Sequence, residues 1–235
     1  MLPVAILAGG LATRLQPATE KAPKSLLEIN GEPFAVHQLR LLRVSGISRA
    51  VLCVGHLGEM IQGVLGDGTG LGLDLAYSFD GPILLGTAGA VRKALPMLGD
   101  VFFVLYGDSY LPCDYAAIAR KFESADAPAA MTVFRNAGKW DSSNVEFESG
   151  SILAYSKKHR TPRMHHIDYG LGVFRAQAFD RVPAGKPFDL ADLYQDLLQH
   201  DQLAGFEVQE RFYEIGSLAG LEETAAFLAR RDFQS

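Results

Sequence analysis

Pro3-Val4-Ala5-Ile6-Leu7-Ala8-Gly9-Gly10-Leu11-Ala12-Thr13-Arg14-Leu15 is the stretch whose reading decides the fold. Val4–Ala8 is a short apolar strand that runs straight into two glycines, and Pro23-Lys24-Ser25-Leu26 follows soon after. Glycines let a backbone approach an anion closely and aim N–H groups at it. Arg14 and Lys24 add positive charge of the kind that phosphoryl oxygens attract. A strand opening into such a turn therefore points to nucleotide chemistry rather than to a binding scaffold.

Outward from this start, the first half alternates strands and helices. Residues 33–42 have the apolar spacing of a helix, 47–54 and 73–78 read as strands, and 57–64 as a short helix. Gly86-Thr87-Ala88-Gly89-Ala90 starts a helix that ends near Gly99. Val101–Tyr106 is a continuous apolar run that ends in Gly107-Asp108-Ser109. Such runs suit the middle of a parallel sheet, and the βαβ rhythm predicts ligands at the carboxyl ends of the strands. The second half reads as short strands at 129–134, 145–147, 152–155 and 170–174, a mixed or antiparallel extension of the sheet, with helices at 189–200 and 219–230. Gly66–Gly72 reads as a loose surface turn, and 137–143 as a polar loop suited to a mobile lid.

Composition limits the function classes. A chain of 235 residues with 48% hydrophobic content can bury a full core. Its formal net charge is -5, with both signs dispersed, so no basic track for nucleic acid is present. Cys53 and Cys113 are far apart and suggest neither a disulfide framework nor a zinc site; His165 and His166 lack ligand spacing for zinc. No stretch is long and apolar enough to cross a bilayer, and the first apolar run lacks the basic flank of a signal peptide, so a cytoplasmic location is expected.

The segments 7–17 and 21–26, then Leu85-Gly86-Thr87-Ala88-Gly89-Ala90, Tyr106-Gly107-Asp108-Ser109 and Tyr213-Glu214-Ile215-Gly216-Ser217, together resemble the sugar-1-phosphate nucleotidylyltransferases, also called nucleotide-sugar pyrophosphorylases. The likeness runs through nearly the whole chain. It is nearest to the short bacterial members that handle heptose, mannose or N-acetylmuramate 1-phosphate, the heptose 1-phosphate guanylyltransferases above all across 46–68 and 170–216. The resemblance implies an α/β Rossmann-like nucleotidyltransferase fold: a mixed, mostly parallel central sheet flanked by helices, with a small sugar-binding lobe. About 1–125 would form the nucleotide half, about 126–217 the sugar-phosphate half and 218–235 a terminal helix, with no second acyltransferase activity. It also implies transfer of a nucleoside monophosphate from a nucleoside triphosphate to a sugar 1-phosphate, with Mg²⁺ as cofactor, in a monomer or small homodimer without nucleic-acid or membrane partners.

Site residues carry over position by position. Leu7, Gly9, Gly10, Thr13, Gly86, Thr87 and Gly107 match the nucleotide-binding positions, Thr13 bonding a phosphate or capping its loop. Arg14 matches the arginine that clamps the triphosphate, and Lys24 the lysine at the reacting phosphates. Asp108 matches the first metal aspartate. Glu214 stands where the family usually has the second, and its longer stem must still meet the strict geometry of Mg²⁺. Lys158 matches the lysine that holds the sugar phosphate, whereas Lys157 replaces the usual glutamate. Strand alternation through Ile152, Ala154 and Ser156 favours Lys158 as the inward residue, although the two lysines remain alternatives. Asp168, ahead of Gly170, replaces an asparagine that touches sugar hydroxyls; ionised, it accepts but cannot donate. Activation of phosphocholine-type acceptors with CTP, uridylyl transfer, and a non-catalytic nucleotide-sugar sensor are the competing readings.

Overall fold

The computed structural model describes residues 1–10 and 22–232, so Thr13 and Arg14 lie outside the described residues. The first strand is β1 (Val4–Leu7). The next described elements are a 3₁₀ turn at Lys24–Leu26, a small hairpin of β2 (Glu28–Ile29) and β3 (Glu32–Pro33), α1 (Phe34–Val44), β4 (Arg49–Val54), α2 (Gly58–Leu65), β5 (Asp74–Phe79) and α3 (Gly86–Leu98). Then come β6 (Val101–Tyr106), β7 (Ser109–Tyr110), α4 (Tyr115–Glu123), β8 (Ala129–Phe134), β9 (Val145–Glu148), β10 (Ser151–Tyr155) and β11 (Ile167–Arg175). The chain continues through α5 (Leu190–Gln199), β12 (Leu203–Val208), β13 (Tyr213–Glu214) and α6 (Leu218–Asp232).

A seven-stranded sheet in the order β12-β8-β11-β6-β1-β4-β5 forms the middle layer. β6, β1, β4 and β5 are mutually parallel, β11 lies antiparallel between β6 and β8, and β12 runs parallel to β8. This is the mixed, mostly parallel α/β architecture that the sequence implies. Alternation along β1 explains the two cores. Val4 and Ile6 face Leu39 and Leu42 of α1, Ile61 of α2 and Phe122 of α4. Ala5, with Val51 and Cys53 of β4, faces Ala88, Val91 and Ala94 of α3 and Leu193 of α5. Both faces of β1 are covered, which is why its run is continuously apolar; each large side chain so buried stabilises the fold by about 1.5–3 kcal/mol.

α4, β12 and the β9–β10 hairpin depart from the sequence reading, which has no strand at 203–208. α4 is absent from it, although Asp114 caps the helix by accepting from Ala117 N at 2.9 Å and Tyr115, Ile118, Ala119 and Phe122 form its buried stripe. β9 and β10 do not extend the main sheet; they form a separate hairpin, tied to the approach to β11 by one bridge between Val145 and His166. Gly205 of β12 explains the offset: a Cβ there would stand 2.7 Å from the Phe147 ring and 2.8 Å from Ile152, so its missing side chain is the space into which the hairpin packs. Among the described residues, no helix is long and apolar enough to cross a membrane.

Candidate functional site

Because β1, β4 and β6 are parallel and in register, Leu7, Cys53 and Tyr106 end side by side, and the loops beyond them enclose a cleft of about 320 Å³. Of the residues chosen from sequence, Leu7, Gly9, Gly10, Lys24, Gly86, Thr87, Gly107 and Asp108 line it. Lys158, Asp168, Gly170 and Glu214 lie outside its lining. The 137–143 loop is not part of the wall either. Buried Asn136 pins it, donating from Nδ2 to Lys139 O at 3.0 Å and Asp141 O at 2.7 Å. Gly66–Gly72 is a surface turn, and His166 packs under Phe147 against Glu207.

Two glycines are required by close backbone approach. Gly107 donates its N–H to Leu7 O at 3.0 Å, and a Cβ on it would stand 2.6 Å from that same oxygen. Gly86 begins α3 with φ +68°, and a Cβ there would stand 2.7 Å from Phe188 O. Thr87 lines the cleft, but its hydroxyl is already engaged: it donates to Asp189 at 2.8 Å and accepts from Leu190 N at 2.7 Å, tying α3 to the start of α5. Asp189 is a wall residue that the sequence reading missed, and Asp80 is another that it did not single out within the 80–89 segment it placed near the nucleotide. Asp80 accepts from Leu85 N at 3.0 Å and so shapes the 80–86 loop. Burial pushes its carboxyl above the usual aspartate range, against the pull of Leu85 N–H and Lys93.

The charged centre is built from three segments. Lys24 Nζ donates to Asp108 Oδ2 at 2.6 Å, with the two side chains 19% and 38% exposed. β13 pairs antiparallel with β7, placing Glu214 opposite Ser109, and Ile215 N donates to Asp108 O at 3.0 Å. Glu214 folds back on its own chain, accepting from Gly216 N and from Ser217 Oγ. A Cβ on Gly216 would stand 3.1 Å from Lys24 Nζ, so the ammonium sits beside the Glu214 segment as well as on Asp108. Among the described residues no group of three or more His, Cys, Asp or Glu side chains is placed to hold a metal ion. Asp108, in the turn just before β7, and Glu214, on the strand paired with β7, are nevertheless two hard oxygen donors, and the Lys24 ammonium already sits on one of them. That donor set fits Mg²⁺, which takes one or two carboxylates and completes its octahedron with phosphate and water oxygens.

A second cluster lies behind Tyr106. Lys157 Nζ stands 3.3 Å from the Tyr106 hydroxyl and 5.1 Å from its ring centroid. Asp168 accepts from Gly170 N at 3.1 Å, and Tyr155 reaches its other oxygen at 3.4 Å. Burial raises the Asp168 carboxyl above the usual range, opposed by Lys157 and these hydrogen bonds. Lys157 therefore replaces Lys158 as the lysine turned toward this cluster. A bulge between Ile152 and Ala154 leaves Leu153 exposed and makes Ile152 and Tyr155 the inward pair, which shifts the alternation by one residue. Beyond the strand, the Ser156 hydroxyl accepts from the N–H groups of Lys158 and His159 and turns the chain, leaving Lys158 exposed.

The nucleotidyl transferase family profile matches residues 4–231. The chain belongs to this family. It is 30% identical over 210 residues to the UTP–glucose-1-phosphate uridylyltransferase of Synechocystis sp., across 82% of this chain and 54% of the relative, so it spans about half of that protein's length. It is 28% identical over 227 residues to the N-acetylmuramate alpha-1-phosphate uridylyltransferase of Neisseria meningitidis serogroup B, across 94% of this chain and 96% of the relative. The crystal structure of HddC from Yersinia pseudotuberculosis complexed with GMP-PN superposes with a TM-score of 0.81 at 21% identity, covering 97% of this chain and all of that one, which shows a shared fold.

Proposed function

We propose that this nucleotidyl transferase moves a nucleoside monophosphate from a nucleoside triphosphate to a sugar 1-phosphate. The observation that carries this reading is the meeting of Lys24 and Asp108 at 2.6 Å in a cleft at the carboxyl ends of β1 and β6. An oxygen of the acceptor phosphate attacks the α-phosphorus, the bond to the bridging β-oxygen breaks, and pyrophosphate leaves with that electron pair. The attacking phosphate is already an anion and needs no general base. Orientation and electrostatics supply the rate. Lys24 holds charge developing on the transferred and departing phosphates, and Arg14 is proposed to assist from the segment outside the described residues. Asp108 and Glu214 would hold the Mg²⁺, which would supply charge neutralisation at the phosphoryl oxygens. Lys157, beside Tyr106 and Asp168, is proposed for the acceptor end.

The sequence resemblance favours GTP with D-glycero-D-manno-heptose or mannose 1-phosphate. The Neisseria relative, aligned over nearly all of both chains, favours UTP with N-acetylmuramate 1-phosphate as the second reading. Pyrophosphate release with Mg²⁺, across five nucleoside triphosphates and a panel of sugar 1-phosphates plus phosphocholine, tests both. One strongly preferred pair is expected. Absence of turnover on every pair, in folded protein that binds nucleotide, overturns the transferase reading in favour of a sensor.

A further inference from the structure

We propose that Gln38 of α1 is a positioning residue for Asp108, holding the Gly107–Asp108 turn in shape by donating both amide hydrogens to the two carbonyls that flank it. Gln38 Nε2 donates to Tyr106 O at 3.0 Å and to Ser109 O at 2.6 Å. These are the first and fourth residues of the turn between β6 and β7. The orientation of the amide is not ambiguous: two carbonyl oxygens converge on one atom, and only the nitrogen end of a glutamine can donate twice.

Gln38 is 2% exposed and lies on the buried stripe of α1, among Phe34, Ala35, Leu39, Leu41 and Leu42. A leucine would pack there without the desolvation that an amide suffers. Burial of the amide is offset by a bond to each end of one turn. The rest of that turn is held by backbone. Gly107 N donates to Leu7 O at 3.0 Å, and Ile215 N donates to Asp108 O at 3.0 Å. Among the described residues, Gln38 is the one side chain that bonds the backbone flanking Gly107 and Asp108. With these anchors made, the freedom left to Asp108 is that of its side chain, which faces Lys24. A metal that tolerates little departure from octahedral geometry depends on such fixing of its ligand.

The inference rests on the proposed transferase reading for its kinetic consequence, but its structural content can be read separately. The experiment compares wild type with Gln38→Met, which keeps the volume and removes both donors, and with Gln38→Asn, which is too short to reach both carbonyls. Three readouts are taken: amide hydrogen exchange across 104–111, Mn²⁺ affinity of the nucleotide-free protein by calorimetry, and the split between kcat and KM. Expected for Gln38→Met are about tenfold faster exchange at 107–110, about tenfold weaker Mn²⁺ binding, and about tenfold lower kcat, with KM for the nucleoside triphosphate within threefold. Gln38→Asn falls between the two. Unchanged exchange overturns the proposal, as does lower activity accompanied only by a lower melting temperature, with exchange at 107–110 and Mn²⁺ affinity as in wild type. Failure of both variants to fold would also overturn it, because the amide would then serve the whole core. A wild type without turnover overturns the transferase reading alone, and exchange still decides the role of Gln38.

Discussion

Replacing Lys24 by methionine separates ground-state stability from transition-state charge at one position. The side chain keeps its length and loses its ammonium, which lies 2.6 Å from Asp108. The pair is partly exposed, at 19% and 38%, so solvent screens it and its loss costs about 0–1 kcal/mol of stability. For a domain of this size that lowers the melting temperature by at most about 4 °C. Catalysis is far more sensitive. Removing one pre-positioned donor aimed at developing charge costs about 10²–10³ in rate, or ~2.7–4 kcal/mol. The expected result is therefore a kcat lower by roughly two to three orders of magnitude in a protein that melts almost as wild type does, measured by pyrophosphate release and by circular dichroism. A second consequence has the opposite sign. With the ammonium gone from Asp108, the free protein should bind Mn²⁺ more tightly, by at least about threefold, because the divalent ion no longer competes with a resident cation. A kcat within about threefold of wild type would refute the catalytic role. Weaker Mn²⁺ binding would refute the competition.

Lys157→Ala should raise KM for the acceptor about tenfold or more, whereas Lys158→Ala should leave it within about twofold; steady-state kinetics on the preferred substrate pair reads the difference. Gly86→Ala should lower the melting temperature by roughly 5–15 °C, since it adds left-handed strain at φ +68° to a contact 2.7 Å from Phe188 O. Cys53 and Cys113 are buried, and burial pushes each thiol up to about 12, so at pH 8 the folded protein should consume Ellman's reagent at least about a hundredfold more slowly than the unfolded chain. The folded protein holds a proton on Asp168 more tightly than the unfolded chain does, so this residue's contribution falls as pH rises above the ordinary aspartate value of about 3.9 and through its raised folded value. Urea unfolding should accordingly show Asp168→Asn gaining stability relative to wild type between pH 4 and pH 7; a pH-independent difference would refute the burial argument.

The nucleotide side was legible because buried parallel strands write themselves as unbroken apolar runs, and Val4–Leu7 and Val101–Tyr106 end where the ligand-facing loops begin. Gly9, Gly10 and Asp108 follow those endings directly, whereas Lys24 comes from the Pro23-Lys24 motif that the resemblance picks out. The acceptor side was less legible because its geometry turns on one bulge. Nothing in Ile152-Leu153-Ala154 announces that Leu153 is the extra residue, yet that residue decides which lysine turns toward Asp168. Asp189 was missed for a different reason: it sits on a loop that approaches the cleft only after long-range packing of Leu85 and Gly86 against Phe188. Gln38 did carry a signal. It is a polar residue in the middle of an apolar helical stripe, where a buried amide must find partners.

The charge of the described cleft wall bears on the proposed need for a divalent cation. Among its described lining residues, Asp80, Asp108 and Asp189 face a single ammonium, that of Lys24. Burial raises the Asp80 carboxyl above the usual range, and the described part of the wall is not positive, although the proposed substrates are polyanions. Lys157 approaches only from behind Tyr106. The described carboxylates disfavour a bare triphosphate, and Arg14, outside the described residues, is the proposed counterweight. Were a divalent ion held by Asp108 and Glu214, Lys24 would be freed for the phosphates. The same carboxylates that oppose the free nucleotide would then favour the metal-bound form, so discrimination between the two is built into the sign of the site.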